Sequence, residues 1–207
     1  LQHTAAEGAE RAMAIATVIT AHGIAGVRTR RIDLAHDVQA RFDLPDTKAL
    51  VKPPRAEVKL HPVGETTAEG SYYRAGDEMS GCYVGKTKAP LRMSLYDKRR
   101  ELDTQQNNEK QDAEYAIWKA NGWDGTSPVW RCEMRFRSSV LHEFGLKDVD
   151  HPRLLLGHLD KLWEYATHNW CRLVVLETAT RRNRCKPDER WELIQFQGFG
   201  GSVPVDR

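Results

Sequence analysis

The stretch Val129-Trp130-Arg131-Cys132-Glu133-Met134-Arg135-Phe136-Arg137, which from Trp130 on alternates strictly between apolar and charged side chains, is the clearest strand in the chain. Successive strand side chains point to opposite faces of a sheet. Trp130, Cys132, Met134 and Phe136 therefore share one face, and Arg131, Glu133, Arg135 and Arg137 the other. Two earlier segments have the same two-sided character. In Arg31-Ile32-Asp33-Leu34-Ala35-His36-Asp37, Ile32 and Leu34 lie opposite Asp33, Ala35 and Asp37. In Leu91-Arg92-Met93-Ser94-Leu95-Tyr96, the apolar trio Leu91, Met93 and Leu95 lies opposite Arg92, Ser94 and Tyr96. If the three strands share a sheet, one face packs against helices and the other gathers acids, arginines and a tyrosine.

Outward from these strands, Cys82–Gly85 pairs with Leu91–Tyr96 as a hairpin through a Lys-rich turn ending in Pro90, and Glu57–His61 adds a short strand. Thr4 and Glu7 have capping-box spacing, and Ala12, Ile15, Ala16 and Ile19 predict a helix closed by His22-Gly23. Residues 101–120, with Ala113, Ala116, Ile117 and Ala120 on one side, predict a helix closed by Asn121-Gly122. Pro152 opens a third, with Leu155, Leu159, Leu162, Trp163 and Ala166 as its buried stripe. Cys171–Thr178 reads equally as a last strand or as more of that helix. Residues 42–54, holding Pro45, Pro53 and Pro54, read as a connection; residues 63–81, with Gly64, Gly70, Gly76 and Gly81, read largely as loop. The expected fold is α+β: a central, mostly antiparallel sheet with helices packed on one face and a polar face left for chemistry. Residues 1–180 form one unit in this reading, and residues 181–207 a basic, then Gly-rich, mobile tail.

The chain has 207 residues, 40% hydrophobic and 29% charged, enough for one sizeable core. Apolar runs such as Leu173–Leu176 are far too short to cross a bilayer, so no membrane partner is expected. No basic and apolar leader opens the chain at Leu1, so nothing points to secretion and a cytoplasmic location is expected. Cys82, Cys132, Cys171 and Cys185 lie far apart without a Cys-x-x-Cys pair, which argues for reduced thiols rather than a disulfide scaffold or zinc ribbon. A net charge of +2 does not demand a polyanionic partner. Local clusters say more: Arg28, Arg30 and Arg31; Lys86, Lys88 and Arg92; Lys98, Arg99 and Arg100; Arg131, Arg135 and Arg137; and Arg181, Arg182, Arg184 and Lys186. Several such clusters beside short apolar strands favour a phosphate-rich ligand over solvated faces.

The polar face suits chemistry on a phosphodiester. Carboxylates hold a hard divalent cation through oxygen ligands, and cation and arginines together neutralise charge on the phosphate. A tyrosine hydroxyl, with an ordinary pKa of about 10, attacks as a phenolate once nearby cations lower that value. Lys98, two residues beyond Tyr96, supplies such a cation if the strand continues. The plainer alternatives are a half-buried sheet tyrosine at Tyr96, cross-strand ion pairs at Asp33 and Glu133, and a turn residue at Asp37. Tyr72-Tyr73 is the main rival for the nucleophile. Trp118, Trp123 and Trp130 either stack on unpaired bases or pack in the core. His36 and His61 are within reach of a metal but read better as exposed or hydrogen-bonded.

The same segments resemble a known family. Arg31–Asp37 is similar to the R-[IL]-D-[LF]-A-x-D strand of the Rep_trans replication initiators, the rolling-circle initiators of plasmids and filamentous phages with related relaxases of conjugative elements. Cys82–Lys88 with Leu91–Lys98 resembles that family's Y-x-G-x-[RK] and R-x-Y-[DN]-K hairpin, and Trp130–Arg135 its R-x-E-x-[RE] strand. The three short motifs occur in the family's order over roughly residues 27–140. The resemblance implies a nicking–joining enzyme in which Tyr96 cuts one DNA strand and stays bound to the 5′ phosphate. Asp33, Glu133 and Asp37 would then be ligands of Mg²⁺ or Mn²⁺. Arg92, Arg131 and Lys98 would contact the scissile phosphate, with Arg135, Lys86, Lys88 and Arg31 as further DNA-binding residues. The implied partners are a single-stranded or hairpin DNA origin and a host helicase or polymerase. Homodimerisation suits an initiator acting at repeated sites, though the composition does not require it. The eight histidines contain no His-hydrophobic-His triplet, the metal signature of the other rolling-circle nucleases. A catalytically idle DNA-binding module and a metal-dependent nuclease using activated water are the competing readings.

Overall fold

The alternating segments pair as their two faces require. β1 (Arg31–Val38), β6 (Trp130–Arg137) and β5 (Leu91–Asp97) lie side by side, followed by β4 (Met79–Val84) and β3 (Val58–Pro62), in one five-stranded sheet of order β1-β6-β5-β4-β3. Every pairing is antiparallel. The computed structural model describes residues 29–42, 47–62, 79–105, 108–146, 155, 157–177, 180–196 and 198–199, with Ala14, Thr17, Val18 and Ala21. The expected fold class is the observed one: an antiparallel sheet with helices, in which β6 is the shared neighbour of the other two motif strands.

On one face, Leu34, Leu91, Met93, Leu95, Cys132, Met134 and Phe136 are buried under helices. These are α3 (Ser138–Glu143), α4 (Leu159–Glu164) running into a π-helical turn (Tyr165–Trp170), and α5 (Glu189–Gln195). Of the predicted stripe, Leu162, Trp163 and Ala166 are fully buried here, and Leu155 and Leu159 are partly buried against the same core. The Trp163 Nε1–H donates to the Ile194 carbonyl at 2.9 Å, and the Trp191 Nε1–H to the Thr167 carbonyl at 2.9 Å, tying α5 to the π-turn. A second, smaller core of Leu102, Trp118, Trp123 and Val129 joins α1 (Lys98–Thr104) to α2 (Asn108–Ala120), next to the start of β6.

The structure corrects four expectations. Residues 181–196 are not a mobile tail: α5 buries Trp191 and Ile194 in the main core. A basic, polar lead-in concealed two apolar residues at i and i+3. The helix predicted over 101–120 is two helices, and the first starts earlier, at Lys98, where Asp97 Oδ1 accepts the Arg100 backbone N–H at 2.9 Å. The connection at 42–54 holds β2 (Leu50–Val51), which pairs with β7 (Arg172–Leu173) as a separate two-stranded sheet. Cys171–Thr178 contributes only that short strand, and the 63–81 loop ends sooner, since β4 begins at Met79. The helix over 4–22 lies outside the described residues apart from Ala14, Thr17, Val18 and Ala21, which are helical. Pro152 and the Tyr72-Tyr73 pair also lie outside them. No helix among the described residues is long and apolar enough to cross a membrane.

Candidate active site on the polar face

Cross-strand register sets which side chains meet on the polar face. Across β6, Arg131 stands opposite Asp37 of β1 and Tyr96 of β5; Glu133 opposite Ala35 and Ser94; Arg135 opposite Asp33 and Arg92; and Arg137 opposite Arg31. The three segments singled out in the sequence therefore do form one patch. Its two ends differ in charge.

At the end covered by α1 and α2, the Tyr96 hydroxyl donates to Glu133 Oε1 at 2.8 Å, reaching diagonally past its own pair partner. Burial pushes the Tyr96 phenol well above its ordinary value; the negative charge of Glu133 and the hydrogen bond to it add to this, and Arg131 offsets only part. Tyr96 is half-buried and does not lie among aliphatic groups. Gly81 of β4 lies across from it, and a Cβ at Gly81 would stand 2.7 Å from both Tyr96 Cβ and the Leu95 carbonyl oxygen. Glycine is thus required for β4 and β5 to close beside the tyrosine.

Arg131 and Asp37 have structural duties. Arg131 Nη2 donates to Asp37 Oδ2 at 2.7 Å and to Glu114 Oε2 of α2 at 3.0 Å, and its Nε donates to Asp37 Oδ1. Asp37 Oδ2 also accepts the Trp118 indole N–H at 2.8 Å. Burial alone would lower the Arg131 pKa, but the hydrogen bonds and charges of Asp37 and Glu114 outweigh it and hold the guanidinium firmly protonated. Two expectations change accordingly. Both Asp37 oxygens are occupied, so it is no open metal ligand, and Arg131 is neutralised by two acids rather than free for a phosphate. Glu114 and Trp118, which complete this network, come from a helix whose partners lie 17 and 81 residues away in sequence; Trp118 packs in the core, one of its two sequence readings, and no local pattern marks Glu114.

Lys98 is placed near Tyr96 by a different route from the expected one. It does not continue the strand; it opens α1, where it is buried, pairs with Glu101, and holds its Nζ 5.8 Å from the Tyr96 ring centroid.

At the open end the face is basic. Asp33 pairs with Arg31 at 3.0 Å and with Arg135 at 3.4 Å, and its side chain is 34% exposed. Arg92 lies over the Tyr83 ring, 4.4 Å from its centroid, with Nη1 3.4 Å from Thr87 Oγ1. Arg137 Nη2 donates to the Thr87 carbonyl at 3.3 Å. Arg31, Arg92, Arg135 and Arg137 thus share one end with a single acid from the three motif strands, Asp33. Lys86 and Lys88 stand exposed on the β4–β5 turn, Lys86 pairing with Glu57 at 3.0 Å. His36, on the core-facing side of β1, is lowered to about 4 chiefly by burial, which keeps the ring neutral near pH 7. Of His61, only its place opposite Gly81 in the β3–β4 register is described.

Among the described residues, no group of three or more His, Cys, Asp or Glu side chains is gathered to hold a metal ion. Asp33 and Glu133 are what the face offers. Asp33 is partly exposed but ion-paired through both oxygens, Oδ2 with Arg31 and Oδ1 with Arg135, and Glu133 Oε2 has no hydrogen-bond partner among the described residues. A Mg²⁺ ion held by one or two carboxylates plus substrate phosphates would need Asp33 to exchange an arginine for the ion.

No family model matches the chain, and neither does a curated protein. Among solved structures it is similar to the rolling circle replication initiator protein from Geobacillus stearothermophilus, with 13% sequence identity and a TM-score of 0.47. The match covers 84% of this chain and 58% of that one, so this chain spans little more than half of that protein's length.

Proposed function

We propose that this chain nicks and rejoins a DNA strand on the polar face of its sheet, with Tyr96 as the nucleophile, to initiate rolling-circle replication or mobilise a genetic element. The observation that carries the reading is the Tyr96–Glu133 hydrogen bond beside the arginine-rich end of the same face. Three motifs in the order of the Rep_trans initiators support it. A DNA strand lying along Arg31, Arg135 and Arg92 brings a backbone phosphate toward Tyr96. Glu133 takes the phenol proton as the phenolic oxygen attacks phosphorus. The bond from phosphorus to the 3′ oxygen breaks, the 5′ phosphate stays on Tyr96, and the leaving oxygen takes a proton from water to give a free 3′ hydroxyl. The buried Lys98 positions the ring from beneath. Asp33 and Glu133 would hold a Mg²⁺ or Mn²⁺ ion, which would offset the charge growing on the phosphate oxygens.

The decisive experiment incubates the protein with single-stranded and hairpin DNA and Mn²⁺, then looks for a covalent protein–DNA adduct. The adduct is expected with the wild type and absent with Tyr96→Phe; an adduct at full yield in that variant would overturn the assignment. A binding-only role is the second reading, favoured by the environment that keeps the Tyr96 hydroxyl protonated. DNA binding without cleavage would select it. Cleavage leaving free 5′ ends, unaffected by Tyr96→Phe, would assign attack to water.

A further inference from the structure

A cavity of about 540 Å³ lies at the turn end of the β4–β5 hairpin, on the helix side of the sheet and away from Tyr96. Its floor is apolar, with Ala56, Pro90, Leu91 and Val140, and Tyr165 and Trp170 line one wall. Arg55, Lys86 and Lys88 stand around it, with Glu143 as the one acid. The two aromatic residues are the first and last of the π-turn, whose wider winding is sealed by the Cys171 N–H donating to the Ala166 carbonyl at 2.9 Å. In an α-helix, residues five apart point about 140° away from each other. A turn closed by i→i+5 bonds sets them one above the other, and such turns are frequent at functional sites. The π-turn is thus the local device that gives both rings to one cavity.

Neither the Tyr165 hydroxyl nor the Trp170 indole N–H has a hydrogen-bond partner among the described residues, and neither Arg55 nor Lys88 has an ion-pair partner among them. Tyr165 packs edge-to-face with Phe144, 5.1 Å between ring centroids. With Trp170, an apolar floor, and donors and cations without partners among the described residues, the lining suits a planar aromatic ring attached to an anion. We infer that this cavity binds one nucleoside monophosphate unit, its base against Tyr165 and Trp170 and its phosphate toward Arg55 and Lys88. The unit arrives either as a free nucleotide or as an unpaired nucleotide of a DNA strand. The strand-borne source rests on the DNA role proposed above: the turn that carries Lys86 and Lys88 also carries Thr87, which meets Arg92 and Arg137 of the basic end.

The test titrates deoxyadenosine 5′-monophosphate, deoxyadenosine, inorganic phosphate, and a short single-stranded DNA with 2-aminopurine at successive positions into the intact chain. Trp170→Leu is expected to weaken mononucleotide or oligonucleotide binding about tenfold, the size of one lost base stack. Arg55→Gln with Lys88→Gln, on the surface and thus safe for folding, is expected to weaken the nucleotide but not the nucleoside. Binding of the mononucleotide assigns a free source. Binding of the oligonucleotide alone, with 2-aminopurine quenched at one position and affinity lost on abasic replacement there, assigns the strand. Oligonucleotide binding that none of these changes affects overturns this inference and leaves the DNA role standing. Inorganic phosphate binding as tightly as the nucleotide also overturns it. No binding by any probe overturns both.

Discussion

Tyr96 and Arg131 face each other across β5 and β6, yet their polar groups turn to different acids. The phenol donates to Glu133 Oε1 at 2.8 Å, whereas the guanidinium clasps Asp37, with Nη2 2.7 Å from Oδ2. Asp37 is buried and fully occupied; Glu133 keeps one oxygen without a partner among the described residues. Asp37 ties β1 to β6 and α2, and Glu133 accepts the Tyr96 phenol.

Asp37→Ala strands a largely buried guanidinium with only Glu114 beside it, and it is expected to cost about 2–4 kcal/mol of stability in urea unfolding. Asp33→Asn removes exposed ion pairs and is expected to cost less than about 1 kcal/mol while reducing the Mn²⁺ dependence of cleavage. Equal, small effects of the two substitutions would remove the structural role given to Asp37.

Acid stability should report on His36. Its folded value, about 4, lies below its ordinary 6.5 because of burial, so between those values the unfolded chain binds more protons than the folded one. The stability His36 contributes is present above pH 6.5 and lost as pH falls toward 4. Denaturant midpoints measured from pH 7 to 4 should fall further in the wild type than in His36→Gln, by roughly 2 kcal/mol after allowance for the ring's partial exposure. Parallel profiles would contradict the buried, neutral ring.

Gly81→Ala places a methyl group against the Tyr96 Cβ and the Leu95 carbonyl, each 2.7 Å away, and backbone has to move to admit it. A loss of about 1–3 kcal/mol is expected, with adduct formation reduced even where the protein stays folded. An alanine variant of wild-type stability would show that the strands have slack there.

Trp191 is fully buried and bonds the Thr167 carbonyl, so Trp191→Ala is expected to cost about 3–5 kcal/mol, as a core tryptophan does. A chain ending before α5 should fail to fold cooperatively in thermal melts. Unchanged melting would return residues 181–196 to the status of a tail.

Arg92→Ala and Arg135→Ala should each weaken single-stranded DNA binding across all sequences and lower the slope of log affinity against log salt by about 1, if each contacts one phosphate. Arg131→Ala should instead act chiefly on stability, through Asp37. A salt-independent affinity would argue against a phosphate-reading face.

The strands were legible because their chemistry is written at period two. Arg31–Asp37, Leu91–Tyr96 and Val129–Arg137 each declare a core face and a polar face, and burial of the first face fixes which way each strand turns. The end of the hairpin strand was not legible: alternation continues on paper through Lys98, and only the Asp97 cap turns the chain into α1 there. The basic run ahead of α5 hid Trp191 and Ile194 for a similar reason, since charged neighbours set the local average while two residues a turn apart do the packing.

By itself the sequence determined that this chain builds a two-faced antiparallel sheet and that Tyr96, Asp33, Glu133 and the arginines of three separated segments face one way, because parity along a strand is a local property. Only the tertiary structure decided which acid each of them meets. Arg131 goes to Asp37 and Glu114, Tyr96 to Glu133, and Tyr165 and Trp170 to a shared cavity, because those pairings depend on strand register, on a helix docked from elsewhere in the chain and on a turn wound wider than an α-helix. None of these is encoded in the spacing of neighbouring residues.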